Sequence, residues 1–360
     1  MKVTLNVDEF QEVIKKAQKS TPKKSSLKIL SNVKLSTNNN KITLISTDLE
    51  TTVIYDLSGD ILEPGEILLS LETLKLIAKL KNTYELTINN NSIIAGNKTL
   101  KYVSWDSEEF PQIQDDCNKQ AFTITQQELI KAFSINYACG TEESRPIFTG
   151  VNINKNKFVA TNTYRLAWNE TSIENTMEQG VIITNSAVKL LSGTLLDKKS
   201  NSQVIVSYND KYQYLKLEFE GIKVITRLID GQFPNFNQVI PKDFTTTIRI
   251  NTKTVLDELS FIEEIAKQDK TLSFAVDKEN LYIDAMAEGN AVTLTIPCES
   301  ITGDRIECQG IDYFFLVDAL KNAESNVIEI KFPNGSAPIY FGNSIVVPIK
   351  IKDQRRRNIA

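Results

Sequence analysis

The sequence contains no histidine in 360 residues. That absence removes the Ser-His-Asp triad, the Cys-His pair, the HExxH metalloprotease and every imidazole-ligated metal site, because each needs that ring as base or ligand. Cysteine is scarce. Cys117, Cys139, Cys298 and Cys308 stand far apart and form no CxxC, which fits a reducing compartment and leaves no zinc motif. No run of 18 apolar residues occurs, and the opening MKVTLNVDEF lacks the apolar stretch of a signal peptide, so neither export by that route nor a membrane span is expected. Neither GxGxxG nor a GxxxxGKS/T loop is present, and glycines such as Gly59, Gly96 and Gly193 are scattered as turn or bulge residues. Charge of one sign is not in excess: 41 Lys and Arg against 45 Asp and Glu leave −4, which argues against a surface coated for DNA but allows a local basic face.

What is present is an internal repeat. TLNVDEFQEVIKKAQKS (4–20), FTITQQELIKAFSINYA (122–138) and IRINTKTVLDELSFIEEIAK (248–267) share a short strand, a polar cap and a helix with one apolar side. Two strands around a polar turn follow each helix. The pairs are Val33–Leu35 with Ile42–Ser46, Gly150–Ile153 with Lys157–Ala160, and Thr271–Val276 with Leu281–Ala285. A second helix is expected within 68–80, 182–196 and 306–320. Phe110-Pro111 and Phe233-Pro234 end the first two copies and lie 123 residues apart, an independent measure of the period. The plan is α+β, with domains expected at 1–118, 119–242 and 243–351 and a basic tail at 352–360. Edge strands of neighbouring copies can pair across the boundaries, and the two free ends favour a closed oligomer.

No catalytic constellation accompanies the repeat. Asp48 and Glu50 alternate along an extended segment, but the matching positions in the second copy are Asn162 or Thr163 and Tyr164, so they are expected to fix a loop. Cys139 follows an apolar helix face and reads as a core residue. Lysines stand out instead: Lys15, Lys16, Lys19, Lys23, Lys24 and Lys28 fall within fourteen residues without an acid, followed by Lys75, Lys79 and Lys81, then Lys131, Lys189, Lys198 and Lys199. Two readings stay open for them, a solubilising surface or a positive lining for phosphates. An enzyme acting on nucleic acid would need a carboxylate cluster for metal ions, which no copy supplies. An adaptor unrelated to DNA would have no reason to keep lysines on corresponding helices.

Ile29-Leu30, Ile45-Ser46-Thr47-Asp48-Leu49-Glu50, Glu109-Phe110-Pro111, Ala160 to Ala167, Asp230-Gly231-Gln232-Phe233-Pro234, Val239-Ile240-Pro241 and Val346-Val347-Pro348-Ile349 occur in an order and spacing that resemble the bacterial DNA polymerase III beta subunits, the replicative sliding clamps. The resemblance runs over residues 1–351. It implies three repeated clamp domains of two helices plus antiparallel sheets, forming half of a closed ring. The ring is a head-to-tail homodimer around duplex DNA, read without regard to sequence. It implies no catalysis, metal or cofactor, and a cytoplasmic place at the replication fork. The implied partners are the replicative polymerase subunit, a clamp loader and other proteins carrying a clamp-binding motif.

By the same resemblance, Lys15, Lys19, Lys23, Lys24, Lys28, Lys75, Lys79, Arg145, Lys189, Lys198 and Lys199 would line the DNA channel. An apolar cleft for partner peptides would use Thr161, Thr163, Tyr164, Arg165, Leu166, Pro234, Gln238, Val239, Val346, Val347, Pro348 and Ile349, with Arg165 bonding the peptide. Subunit contacts would use Leu100, Tyr102, Phe261, Ile262 and Ile265. The chain departs from the family where Thr163-Tyr164 replace a Gly-His and where Val347 and Ile349 replace methionines, which are more adaptable. Arg355, Arg356 and Arg357 extend beyond the usual end and would favour acidic flanks on a partner motif.

Overall fold

The computed structural model describes residues 1–38 and 40–351, and only the backbone of Glu307 and Cys308. Arg355–Arg357 and the rest of the tail lie outside the described residues, as does Asn39 of the first hairpin turn.

Seven α-helices stand among the described residues: α1 (Val7–Ser20), α2 (Leu71–Ile77), α3 (Gln126–Phe133), α4 (Asn185–Leu190), α5 (Thr252–Phe261), α6 (Glu263–Asp269) and α7 (Tyr313–Lys321). Five of the starts follow from the polar residue that ends the preceding strand. The side chains of Asn6, Ser70, Thr184, Asn251 and Asp312 accept backbone N–H bonds from the first turn of α1, α2, α4, α5 and α7. Each such cap contributes about 1 kcal/mol. Two of the expected helices are interrupted. α4 passes into a π-helical turn at Leu191–Leu195, and the helix expected to run through 267 breaks between Phe261 and Glu263.

Contacts divide the chain into two compact units, the first comprising Met1–Phe133, Ile153–Asn156 and Thr171–Gly231. In it, a five-stranded sheet runs Gly59–Glu63, Lys2–Asn6, Glu85–Asn89, Ser92–Ala95, Lys98–Lys101. A second antiparallel sheet runs Glu66–Ser70, Asn32–Asn38, Lys41–Thr47, Thr51–Leu57, Ile222–Ile229, Tyr214–Phe219, Gln203–Tyr208, Lys119–Thr125. Thr51–Leu57 of the first repeat pairs with Ile222–Ile229 of the second, Val53 opposite Val224, so the repeat boundary is a continuous ladder that removes two free edges. α1 buries Phe10, Ile14 and Ala17 and lies against both α2 and the π-helical turn, while Gln11 donates to the carbonyls of Ile77 and Leu80 and caps the end of α2. Helices of both repeats thereby form one layer.

The second unit comprises Ser134–Asn152, Lys157–Glu170 and the chain from Gln232 onward. One sheet runs Lys157–Thr161, Arg165–Glu170, Ser344–Val346, Ile339–Phe341, Val327–Phe332, Thr246–Asn251, Ser300–Gly303, again joining two repeats. The other runs Asn290–Pro297, Asn280–Ala287, Thr271–Val276, Ile306–Asp312. Ile248, Val255, Leu259, Ile262, Phe274, Ile283, Leu316 and Phe332 share its core. Ile262 is thus corrected as a subunit-contact residue: the helix break leaves it at φ −96°, ψ 5° and turns its side chain inward to full burial. Ile265 packs half-buried against the same core, whereas Phe261 is 76% exposed.

Candidate partner cleft and nucleic-acid interface

The turn between Lys157–Thr161 and Arg165–Glu170 builds one wall of an apolar cleft. The Thr161 hydroxyl donates to the Arg165 carbonyl at 2.6 Å and accepts the Thr163 N–H at 3.0 Å, while Asn162 Oδ1 accepts the N–H groups of Tyr164 and Arg165 at 3.0 and 2.9 Å. These bonds hold Thr163 at φ 75°, a left-handed conformation that disfavours a β-branched residue. Beside the turn lies a cavity of about 280 Å³. Thr161, Thr163, Arg165, Leu166, Pro234, Val239 and Val347 line it as expected from the sequence, together with Phe148, Phe233, Asn235, Phe236, Pro338 and Ile345. Phe148 and Phe233 meet edge to face at 6.2 Å. Behind them, Val159, Leu166, Phe236 and Ile345 form a buried floor.

Several expected wall residues stand elsewhere. Val346 is buried in the unit's main core, because alternation along Ser344–Val346 sends Ile345 and Val347 to the cleft and Val346 the other way. Gln238, Pro348 and Ile349 are off its wall; the Ile349 backbone N–H bonds the Gly310 carbonyl at 2.8 Å instead. Tyr164, 60% exposed, borders a neighbouring cavity of about 270 Å³ with Cys139, Gly140, Thr141, Glu142, Arg145 and Asn162, which shares Phe148 and Arg165 with the first. Arg145, expected on the DNA side, lines that neighbouring cavity, its Nε 3.9 Å from Glu142 Oε2. Two of the missed residues carried a signal: Phe233 precedes Pro234 in a phrase already singled out, and Ile345 lies two residues before the expected Val347 at strand spacing.

Arg165, on the cleft wall, is also engaged within the chain. Its Nη1 bonds Asp318 Oδ2 on α7 at 2.6 Å, its Nη2 donates to the Tyr137 carbonyl, and the guanidinium stands 4.5 Å from the Phe315 ring centre and 5.3 Å from that of Tyr137. One of the donors expected on a peptide thus ties the second repeat to the third through Asp318, a second is used within the second repeat by Tyr137, and Nε has no hydrogen-bond partner among the described residues.

In the first unit Lys15, Lys19, Lys23, Lys24, Lys28, Lys75, Lys79, Lys189, Lys198 and Lys199 are all exposed, on α1, the 21–28 loop, α2 and the turn after it, α4 and the loop beyond the π-helical turn. Among them the described ion pairs include only Lys15 with Glu12. The Ser202 hydroxyl holds the Glu220 carboxyl below the usual range against partial burial, helped by Gln126 and Ser200 and, least, by the charge of Lys16. At the edge strand Lys98–Lys101, Leu100 borders an apolar hollow of about 180 Å³ with Leu76, Ile77, Leu80, Ile93 and Ala95. Tyr102 turns its hydroxyl inward to the Asn89 carbonyl at 2.5 Å. Among the described residues no group of three or more Cys, Asp or Glu converges as a metal site, and no described helix is long and apolar enough to cross a membrane.

A helical layer carrying exposed lysines, sheets continuous across repeats and an open apolar cleft are the parts of a DNA-tethering clamp. Family models match in the corresponding places: that of the DNA polymerase III beta subunit N-terminal domain over residues 1–114, and that of its central domain over 123–235. The chain is similar to the beta sliding clamp of Streptococcus pneumoniae, 24% identical over 359 residues and 93% of each chain. It is also similar to the beta sliding clamp of Synechococcus elongatus, 24% identical over 98% of this chain and 97% of the other. The solved DNA polymerase sliding clamp of Bacillus subtilis superposes with a TM-score of 0.88 at 20% identity, covering 98% of this chain and 100% of that one. The chain belongs to the DNA polymerase III beta subunit family. It is a processivity factor, a DNA-encircling sliding clamp without catalytic activity of its own.

Proposed function

We propose that this clamp receives the replicative polymerase subunit, the clamp loader and other motif-bearing proteins in the cavity beside Leu166, and that it works at the replication fork in the cytoplasm. The observation that carries the reading is the cleft itself, an open apolar space of about 280 Å³ with two phenylalanines on its wall. A short linear motif burying two apolar side chains there gains about 1.5–3 kcal/mol for each. The repeats 1–118, 119–242 and 243–351 act as three clamp domains, two chains join head to tail, and the exposed lysines of α1, α2, α4 and their loops face the duplex. Water-mediated phosphate contacts there would permit sliding. The hollow around Leu76, Leu80 and Leu100 and the exposed Phe261 supply the apolar patches of the subunit contact.

Loading onto nicked circular plasmid tests the reading. Retention on the circle and release on linearisation are expected, with Lys23→Ser/Lys24→Ser/Lys28→Ser weakening association and flattening its salt dependence. Equal retention on linear DNA would refute encirclement, and an unchanged salt slope would remove these lysines from the lining. A Leu100→Asp chain that stays dimeric in light scattering would place the subunit contact elsewhere.

A further inference from the structure

The two units place different chemistry on one scaffold. In the second, the Val347 N–H bonds the Tyr164 carbonyl at 2.8 Å, and Val347 stands on the wall of the apolar cleft. In the first, the Arg227 N–H bonds the Glu50 carbonyl at 2.8 Å, and Glu50 follows Thr47-Asp48-Leu49 as Tyr164 follows Thr161-Asn162-Thr163. Leu49 and Thr163 are both left-handed. The counterpart of an apolar wall residue is therefore an arginine.

Arg227 is exposed and lines a cavity of about 250 Å³ formed wholly by residues of the first unit, among them Lys211, Gln179, Gln213, Tyr212 and Asp230. Its strand, Ile222–Ile229, is bonded on both sides, to Thr51–Leu57 and to Tyr214–Phe219, so the backbone beneath it is fixed. The turn that carries Lys211 is fixed as well. Buried Asn209 accepts the N–H groups of Gln213 and Tyr214 at 2.8 and 3.1 Å through its side chain, and the Tyr212 ring stacks on Tyr208 at 4.9 Å. Neither Lys211 nor Arg227 takes part in a described ion pair, and Asp210, next to Lys211 in the chain, is engaged by Lys119 at 2.7 Å. Asp230 is the one acid on the wall, so the space carries a net positive charge.

We propose that this cavity is a second docking site, for an extended acidic segment of a partner protein whose carboxylates pair with Arg227 and Lys211. The planar fork of the arginine matches a carboxylate, and the lysine adds a point charge. A peptide suits the rest of the wall better than a free anion does. Asp230 repels an ion that has only acceptors but accepts a backbone N–H, and the side-chain amides of Gln179 and Gln213 both donate and accept, as a peptide backbone requires. This site selects by charge, whereas the cavity beside Leu166 selects by apolar side chains.

Fluorescence polarisation with a short peptide alternating Glu and Gly, which carries no side chain for an apolar cleft, tests the proposal on the full-length protein. The peptide should bind, its Gln-Gly counterpart should not, and Lys211→Gln/Arg227→Gln should weaken binding about tenfold. Lys23→Ser/Lys24→Ser/Lys28→Ser should leave the affinity within about twofold, which separates this cavity from exposed lysines at large. Equal affinity for the unaltered and double-variant proteins, an equal loss in the lysine variant, or displacement by inorganic phosphate at the peptide's own concentration would overturn the docking. Lys211→Glu alone, on an exposed turn outside the ladder, should weaken binding at least as much as the double variant. A loss that comes only with a lowered midpoint in urea, in both variants, would assign the effect to the fold and refute the site.

Discussion

Replacing Arg165 with alanine gives opposite results under the two roles open to its guanidinium. In the structure the side chain is only 11% exposed and is fixed by Asp318, the Tyr137 carbonyl and two rings. Charge-assisted bonds of this kind contribute about 1.5–3 kcal/mol, and a partly desolvated cation over a ring about 1 kcal/mol more. Asp318 is 37% exposed, so water recovers part of its loss when the arginine goes. Arg165→Ala should therefore destabilise the protein by about 2–4 kcal/mol. Urea unfolding measures this, and a cycle with Asp318→Ala should return a coupling of about 1–2 kcal/mol. The coupling should persist in high salt, because a mostly buried pair is weakly screened. A midpoint within about 0.5 kcal/mol of the unaltered protein, together with lost peptide binding, would refute the structural role and restore Arg165 as a peptide ligand.

Thr163→Gly should leave stability unchanged or raise it by up to about 1 kcal/mol in urea, since glycine relieves the φ of 75° while the N–H bond to Thr161 remains. Val239→Ala and Val347→Ala, both at exposed positions of the cleft, should each weaken an apolar peptide by about 1 kcal/mol in fluorescence polarisation, whereas Ile349→Ala should not. Glu66 is pushed up by burial, but bonds from Lys34 at 2.7 Å and Ser36 at 2.8 Å, with the Lys34 charge, hold it below the usual carboxylate range. Its contribution is present above the unfolded carboxylate pKa and is lost as pH falls through the lower folded value. Glu66→Gln should accordingly cost about 1 kcal/mol at pH 7, with the difference vanishing in acid; a constant difference across the titration would refute the linkage.

The sequence was most legible where the physics is local. Asn6, Asn251 and Asp312 each close a strand and cap a helix with their own side chain, and Thr271–Val276 and Thr51–Leu57 form over the same residues that alternation predicts. Legibility failed where one residue of phase decides a face. Val346 occupies a three-residue strand, too short for alternation to declare its direction without the partner Arg165 opposite it. Ile262 follows a helix break that has neither glycine nor proline to announce it. The contact between Arg165 and Asp318 spans 153 residues, and no local pattern relates them.

The repeat explains why the cleft opens beside the second copy. Thr47-Asp48-Leu49 and Thr161-Asn162-Thr163 make the same turn: each threonine oxygen accepts the N–H two residues on, and each Asp or Asn oxygen accepts the next two N–H groups. The third residue is left-handed in both, at φ 77° and 75°. Asp48 is thus the loop-fixing residue expected of it, and the two turns offer the same scaffold. What differs is the phenylalanine before proline. Phe110, 4% exposed, fills the space between Ile45 and Leu68 and completes a closed cluster. Phe233 remains half-buried, meets Phe148 by its edge, and stands on the wall of an open cavity. In a close-packed interior a ring that fills its own pocket leaves nothing to bind, whereas a ring held aside by a second aromatic leaves apolar surface for a partner to cover. The same two-residue phrase therefore serves as a core plug in one copy and as a recognition wall in the other.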